Sequence, residues 1–273
     1  MKTSKTNKAS FGKAKQMLLN SLLAALTVPG VAMAADAPAS PHTFTANVGV
    51  TTDYIFRGIS QTSHNAALQG GADYVHASGL YAGLWGSNVN WITASGATGN
   101  ANIELDTYLG FRNTLANEFS YDVGFIRYNY LGSYAPAAGG YVKADTDEVY
   151  FGVGYKWLSA KYSHGLGKFL TVPSAAGTNY IEINANAPLG DSGFTLGVHA
   201  GKQTYKGTFA DALASAGTSA TYSDYKLGVS KDFSGFLVAL AYTNTNASTF
   251  YTWQASGGNW GKGTAVLSVT RSF

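Results

Sequence analysis

The stretch AVLSVTRSF, residues 265–273, ends on an aromatic residue with its alternation intact. Read as an extended strand, Ala265, Leu267, Val269 and Phe273 share one face, while Thr264, Ser268, Thr270 and Ser272 share the other. A water-soluble domain usually finishes in polar residues that nothing tethers. A strand that stays apolar on one side to its last residue asks for hydrocarbon along that side and water along the opposite one. Arg271 interrupts the apolar face, at a position from which a long cationic side chain can snorkel to a membrane interface.

The same period runs back through the chain. Phe44, Ala46, Val48, Val50, Thr52, Tyr54 and Phe56 fall on one face, against Thr45, Asn47, Thr51, Asp53 and Arg57. Ile103, Leu105, Leu109 and Phe111 oppose Glu104, Asp106, Tyr108 and Arg112. Val149, Phe151, Val153, Tyr155 and Trp157 oppose Glu148, Tyr150 and Lys156; Ile181 and Ile183 oppose Glu182; Leu227 and Val229 oppose Asp224 and Lys226. Segments of this kind are centred on 44–57, 65–76, 79–91, 101–113, 119–130, 146–157, 158–165, 178–187, 193–203, 221–231, 235–244 and 262–273. That makes about twelve strands. Two fit less well. The faces of 79–91 are mixed, and Arg127 shares a face with Tyr121, Val123 and Phe125, which requires either a site above the lipid band or a bulge.

The links between these segments alternate in length. Short ones fall near 76–79, 113–118, 157–158, 188–193 and 232–235; long ones fall near 58–64, 92–100, 131–145, 165–177, 204–218 and 245–261. Brief turns at one end and larger loops at the other predict an all-β chain over 43–273, an up-and-down antiparallel transmembrane β-barrel.

Composition separates this reading from a soluble sandwich. The chain holds 18 Tyr, 14 Phe, 5 Trp and 33 Gly, with only 12% charged residues and no cysteine. A sandwich would present Lys and Glu to water on its outer faces, in numbers this chain does not have. Without cysteine, stability rests on hydrogen bonding and burial. Rings such as Tyr54, Phe56, Tyr121, Tyr155 and Trp157 sit at the ends of apolar faces, where interfacial girdles belong.

The opening residues have another character. Lys2, Lys5, Lys8, Lys13 and Lys15 precede an apolar run that breaks at Pro29-Gly30 and closes on Ala32-Met33-Ala34. A basic stretch, a short apolar core and an A-x-A exit predict a Sec-type signal peptide over 1–34, cleaved after Ala34, with a linker at 35–42. The run is too short to span a bilayer. Its removal leaves 13 basic residues against 15 acidic ones, so the basic balance of the full chain offers no footprint for nucleic acid.

At ANVGVTTDYIFRGISQT, residues 46–62, the chain resembles the Gcw_chp or TorF-type family of proteobacterial outer-membrane proteins. ALQGGADY, GLYAGLWGSNV, DEVYFGVGYKWLSAKYSHGL and YSDYKLGVSKDFSGFLVALAYT extend the resemblance across nearly everything from Phe44 onward. It implies an outer-membrane barrel with pore activity in a Gram-negative bacterium. It implies no substrate. The closing strand also resembles the C-terminal signal that the barrel-assembly machinery reads, through Leu267, Val269 and Phe273.

A barrel of about twelve strands has a narrow lumen, part obstructed by side chains. The residues expected to project into it and act on solutes or ions are Asp53, Arg57, Glu104, Asp106, Arg112, Asp122, Glu148, Lys156, Glu182, Asp224 and Lys226. Each has a competing structural role, because unlike charges can pair across the lumen and brace the wall. Asp53 and Arg57, four apart, are the leading candidate cluster. Glu104 and Asp106 are second, since two like charges so close repel unless a cation lies opposite.

No catalytic set appears. Ser163 and His164 are adjacent and so point to opposite faces of a strand, and neither GVSKD nor GISQT completes a nucleophile elbow. The five histidines lack metal-ligand spacing. We therefore expect no enzyme activity, cofactor or metal, and as partners outer-membrane lipid, the assembly machinery and small solutes or ions. The alternative is a closed barrel whose outer loops bind a ligand or partner; in those loops Trp253 and Trp260 are the candidate anchors. A transporter of fatty molecules would need an apolar lining, and only Leu237, Ala239 and Ala241 supply one.

Overall fold

The structure, a computed structural model, describes residues 40–247, 251–253 and 258–273. The leader, its exit at Ala32 and Ala34, and the linker as far as residue 39 lie outside the described residues. Twelve antiparallel strands close into a barrel: β1 (His42–Thr51), β2 (Ala67–His76), β3 (Leu80–Asn88), β4 (Ile103–Thr114), β5 (Phe119–Leu131), β6 (Thr146–Tyr155), β7 (Leu158–Gly165), β8 (Asn179–Pro188), β9 (Phe194–Thr204), β10 (Tyr222–Phe233), β11 (Phe236–Thr245) and β12 (Thr264–Ser272). Each strand pairs with its neighbour in sequence, and β1 closes the ring on β12 with Val50 opposite Val269. The backbone of Phe273 exchanges two hydrogen bonds with Ala46, so the last residue is part of the closing seam.

Alternation decides which residue faces which medium. Val48, Val50, Leu84, Leu109, Val123, Phe151, Ile183, Leu227, Leu240 and Leu267 are exposed on the outer wall, whereas their strand neighbours Glu104, Asp106, Glu148, Glu182 and Asp224 are buried inside. An apolar outside and a polar inside suit a barrel in hydrocarbon and no water-soluble fold. Phe44, Phe119, Tyr155, Trp157, Phe194, Phe233, Phe236 and Phe273 ring the turn end, and Tyr162, Tyr225 and Tyr242 lie nearer the loop end. On β10 the two belts are marked by Tyr225 and Phe233. Eight residues of tilted strand separate them, which is roughly 20 Å of apolar height.

Two of the doubtful segments resolve cleanly. β3 alternates, with Tyr81 and Trp85 buried in the lumen and Leu80 and Leu84 outside. Arg127 lies on the outer face near the loop end, bonded to Asp147 at 2.9 Å, and the β4–β5 and β5–β6 ladders pass it without a bulge. Arg271 donates to the Ser234 carbonyl at 2.8 Å and lies 4.9 Å from the Phe236 ring centre, which satisfies it at the turn-end interface.

The reach expected of β1 is not observed. β1 ends at Thr51, not at residue 57, and Tyr54 and Phe56 do not join a girdle. The chain turns inward there because the buried Asp53 carboxylate gathers Ser60 Oγ at 2.6 Å, Thr62 Oγ1 at 2.9 Å and His64 Nδ1 at 2.7 Å into one compact loop. Arg57 and Gly58 take left-handed backbone angles at its tip, with φ of 48° and 78°.

Candidate functional site

Residues 52–66 form a plug across the outer part of the lumen. Its base is the Asp53 cluster, and His64 also reaches the Asn259 carbonyl at 3.1 Å, tying the plug to the β11–β12 loop. From this base the plug meets the wall almost all round. Tyr54 donates to Glu104 Oε1 at 2.9 Å on β4 and packs edge-on against Trp85 of β3, with ring centres 5.3 Å apart. Phe56 packs against Tyr128 of β5. Gly58 sits so close to Asp224 of β10 and Thr245 of β11 that a Cβ there would meet both at 2.5 Å.

Arg57 completes the closure. Its guanidinium makes a bidentate pair with Glu148 of β6, at 2.9 and 2.7 Å, and donates to Gln203 Oε1 of β9 at 2.9 Å. It lies 4.5 Å from the ring centre of Tyr180 and 4.7 Å from that of Phe56. Burial works against its charged form, but the Glu148 carboxylate, together with Tyr128 and Tyr180, outweighs burial and holds its pKa above the usual value. For Tyr54, burial and then Glu104 push the phenol well up, so it keeps the proton it donates.

The expected site residues therefore separate. Asp53 builds the base of the plug and Arg57 its latch; the two do not touch. Glu148 is the latch partner. Glu104 and Asp106 are buried side by side under the plug, and Asp106 Oδ1 has no hydrogen-bond partner among the described residues. Arg112 and Asp122 face each other across the β4–β5 ladder, with Asp122 accepting from Tyr81 at 2.6 Å. Glu182 pairs with Lys161 at 2.9 Å, and Asp224 accepts from Tyr180 and bonds His199 Nε2, each at 2.9 Å. Lys226 extends into open lumen. Lys156 corrects an expectation: it sits in the β6–β7 turn, 3.9 Å from Glu118, outside the lumen wall. Ser163 faces in and is buried, while His164 faces out beside Tyr162.

Below the plug the inner wall is uneven. Charges and tyrosines crowd β4 to β10, while β11, β12 and β1 present Ala239, Ala241, Ser268, Thr270 and Asn47, all partly accessible. Above the plug the loops converge on an open cup, with Phe56, Ile59 and Gln61 of the plug in its lining.

A family model for bacterial proteins of unknown function, Gcw_chp, matches residues 35–273, which includes the whole barrel. The chain belongs to the Gcw_chp family. No curated protein matches it significantly. Among solved structures, this Gcw_chp chain is similar to the KdgM porin, at 10% identity and a TM-score of 0.48, covering 84% of this chain and 99% of that one. It is also similar to OccD3 of Pseudomonas aeruginosa, at 16% identity and a TM-score of 0.40, covering 85% and 65%. OccAB4 of Acinetobacter baumannii matches at 13% identity and a TM-score of 0.41, covering 81% and 56%.

Sequence reasoning missed part of what this Gcw_chp barrel brings together. Gln203 and Tyr180, which hold Arg57, sit at inward strand positions and carried no signal beyond that. The aromatic residues of the cup were visible as rings within long polar loops. Only Trp260 drew notice among them; the side chain of Trp253 lies outside the described residues.

Proposed function

We propose that the chain is an outer-membrane channel for small hydrophilic solutes or ions, closed at its outer end by the plug of residues 52–66. The carrying observation is the lumen itself: a polar inner wall, with Lys226 reaching into open space, lies directly beneath a plug held by side-chain bonds to that wall. A lumen that served only as scaffold would gain more from side chains filling it. On this reading the protein is not an enzyme; it reaches the outer membrane of a Gram-negative cell after Sec-type export, and Leu267, Val269 and Phe273 hand it to the assembly machinery. Solutes pass along the neutral β11–β12–β1 side once the plug moves, while the opposite charged wall sets preference by sign.

The plug's many wall contacts favour a second reading, a closed barrel whose outer loops bind. Planar-bilayer recording of the leader-free chain separates the two. Stepwise current is expected, and no steps above background at any voltage or salt concentration would leave the closed barrel standing.

A further inference from the structure

Every one of the six long loops delivers an aromatic ring to the mouth of the barrel. Trp91 comes from the β3–β4 loop, Tyr141 from β5–β6, Phe169 from β7–β8, Tyr205 from β9–β10, and Tyr251 and Trp260 from β11–β12. The remaining loop is the plug, which gives Phe56 and Ile59 to the floor. Five of the six rings above the floor are buried, and several hold one another edge-on: Phe169 against Tyr205 at 5.4 Å, and Tyr222 against Tyr251 at 4.9 Å. These rings belong to one buried cluster, yet they leave between them a cup open to water at the loop end.

We infer that this cup is a binding site for a small, uncharged, planar ring compound. Charge is the first discriminator. No Asp, Glu, Lys, Arg or His lines the cup among the described residues. Arg57, beneath the floor, is already paired with Glu148, bonded to Gln203 and covered by the rings of Phe56, Phe169 and Tyr180, so it is not offered to a carboxylate or phosphate in the cup. Hydroxyl content is the second. Much of the polar complement of the lining is spent within the protein: Ser60 Oγ on Asp53, Gln61 Nε2 on the Ile59 carbonyl, Ser95 Oγ on the Ile92 carbonyl, and Gln203 on Arg57 and the Asn179 carbonyl; the buried Trp91 Nε1 has no hydrogen-bond partner among the described residues. A sugar, with many hydroxyls that each need donors and acceptors, would recover only part of its lost hydration there. A flat apolar ring loses little and gains stacked and edge contacts on several sides. Because Phe56 and Ile59 are the floor, an occupant rests on the plug.

This site goes beyond the channel reading, since the cup binds whether or not the plug opens. Equilibrium dialysis of coumarin against the leader-free chain in lipid nanodiscs tests it, with empty nanodiscs as the reference. We expect saturable binding above that reference and none for maltose or benzoate. Ala137→Asp places a carboxylate in the lining and weakens binding about tenfold or more; Tyr141→Ala removes one ring and weakens it about threefold or more. Both positions are only partly buried, and heat-modifiable migration on gels reports that each barrel has folded. Should Ala137→Asp not fold, Ala97→Asp makes the same change from the β3–β4 loop. Coumarin retention equal to that of empty nanodiscs, unchanged affinity in the folded aspartate variant, or equal binding of maltose or benzoate overturns the assignment. No current is read, so a failure here leaves the channel standing and a silent bilayer leaves the cup standing.

Discussion

Arg57 holds an unfavourable backbone angle, φ 48°, to deliver its guanidinium to Glu148, whose side chain is wholly buried. The left-handed angle costs on the order of 1 kcal/mol, which the bidentate pair must offset. Breaking such a pair from one side leaves a buried charge without a partner and costs about 3–5 kcal/mol; replacing both partners by apolar groups of similar size costs far less. Arg57→Met should therefore lower the thermal midpoint of heat-modifiable migration clearly, and Arg57→Met with Glu148→Met should recover most of the loss. Equal midpoints for the single and double variants would remove Arg57 from its role as latch. The sequence showed Arg57 as a lumen residue but not its partner. TTDYIFR keeps apolar residues at alternate positions, and periodicity reports that two faces differ without saying which medium each one meets. Here the apolar face of Tyr54 and Phe56 meets the rings of Trp85 and Tyr128 inside the barrel.

At the scale of the strand, inward tyrosines lie over inward glycines of the neighbouring strand: Tyr108 over Gly83, Tyr81 over Gly110, Tyr150 over Gly124 and Tyr180 over Gly201. Three of these phenols donate to carboxylates, Tyr108 to Asp73, Tyr81 to Asp122 and Tyr180 to Asp224. Small residues thus give the rings room to cross a narrow lumen and bind the strands edge to edge. The outer face carries the opposite demand. Leu240 stands between Val229 and Leu267 in the apolar band, and Ala239 beside it faces the lumen. Leu240→Arg should destabilise the folded barrel by roughly 2–4 kcal/mol, while Ala239→Arg, wetted by the lumen, should not meet that lipid penalty. Urea titration in lipid vesicles reads the difference, and equal losses at the two positions would contradict the assignment of faces. These strands were legible because lipid and water impose period two, and their turns because the links alternate in length. The Tyr-over-Gly pairs were not legible, since register between strands follows from closing the ring.

On the scale of the whole molecule, the wall and the plug make opposite statements about flow. The wall from β11 through β12 to β1 is neutral and partly accessible, and the plug covers it from the outside. The two agree if the plug moves, and the chain supplies a clean way to test this because it contains no cysteine. Gly58 lies against both Thr245 of β11 and Asp224 of β10, so a Cβ at 58 would come within 2.5 Å of the Thr245 methyl and of the Asp224 Cβ, and a disulfide from 58 to 245 forms as the tip shifts to clear Asp224. Gly58→Cys with Thr245→Cys should cross-link on oxidation, at some strain from the left-handed angle at 58, and fix the plug to the wall. Bilayer current should then be absent in the oxidised protein and return on reduction, while the cysteine-free parent ignores both treatments. Mass spectrometry establishes that the bond has formed. A cross-linked protein that conducts as well as its reduced form would place the path elsewhere than past the plug. The neutral wall along β11, β12 and β1 would then need a solute route that does not cross residues 52–66.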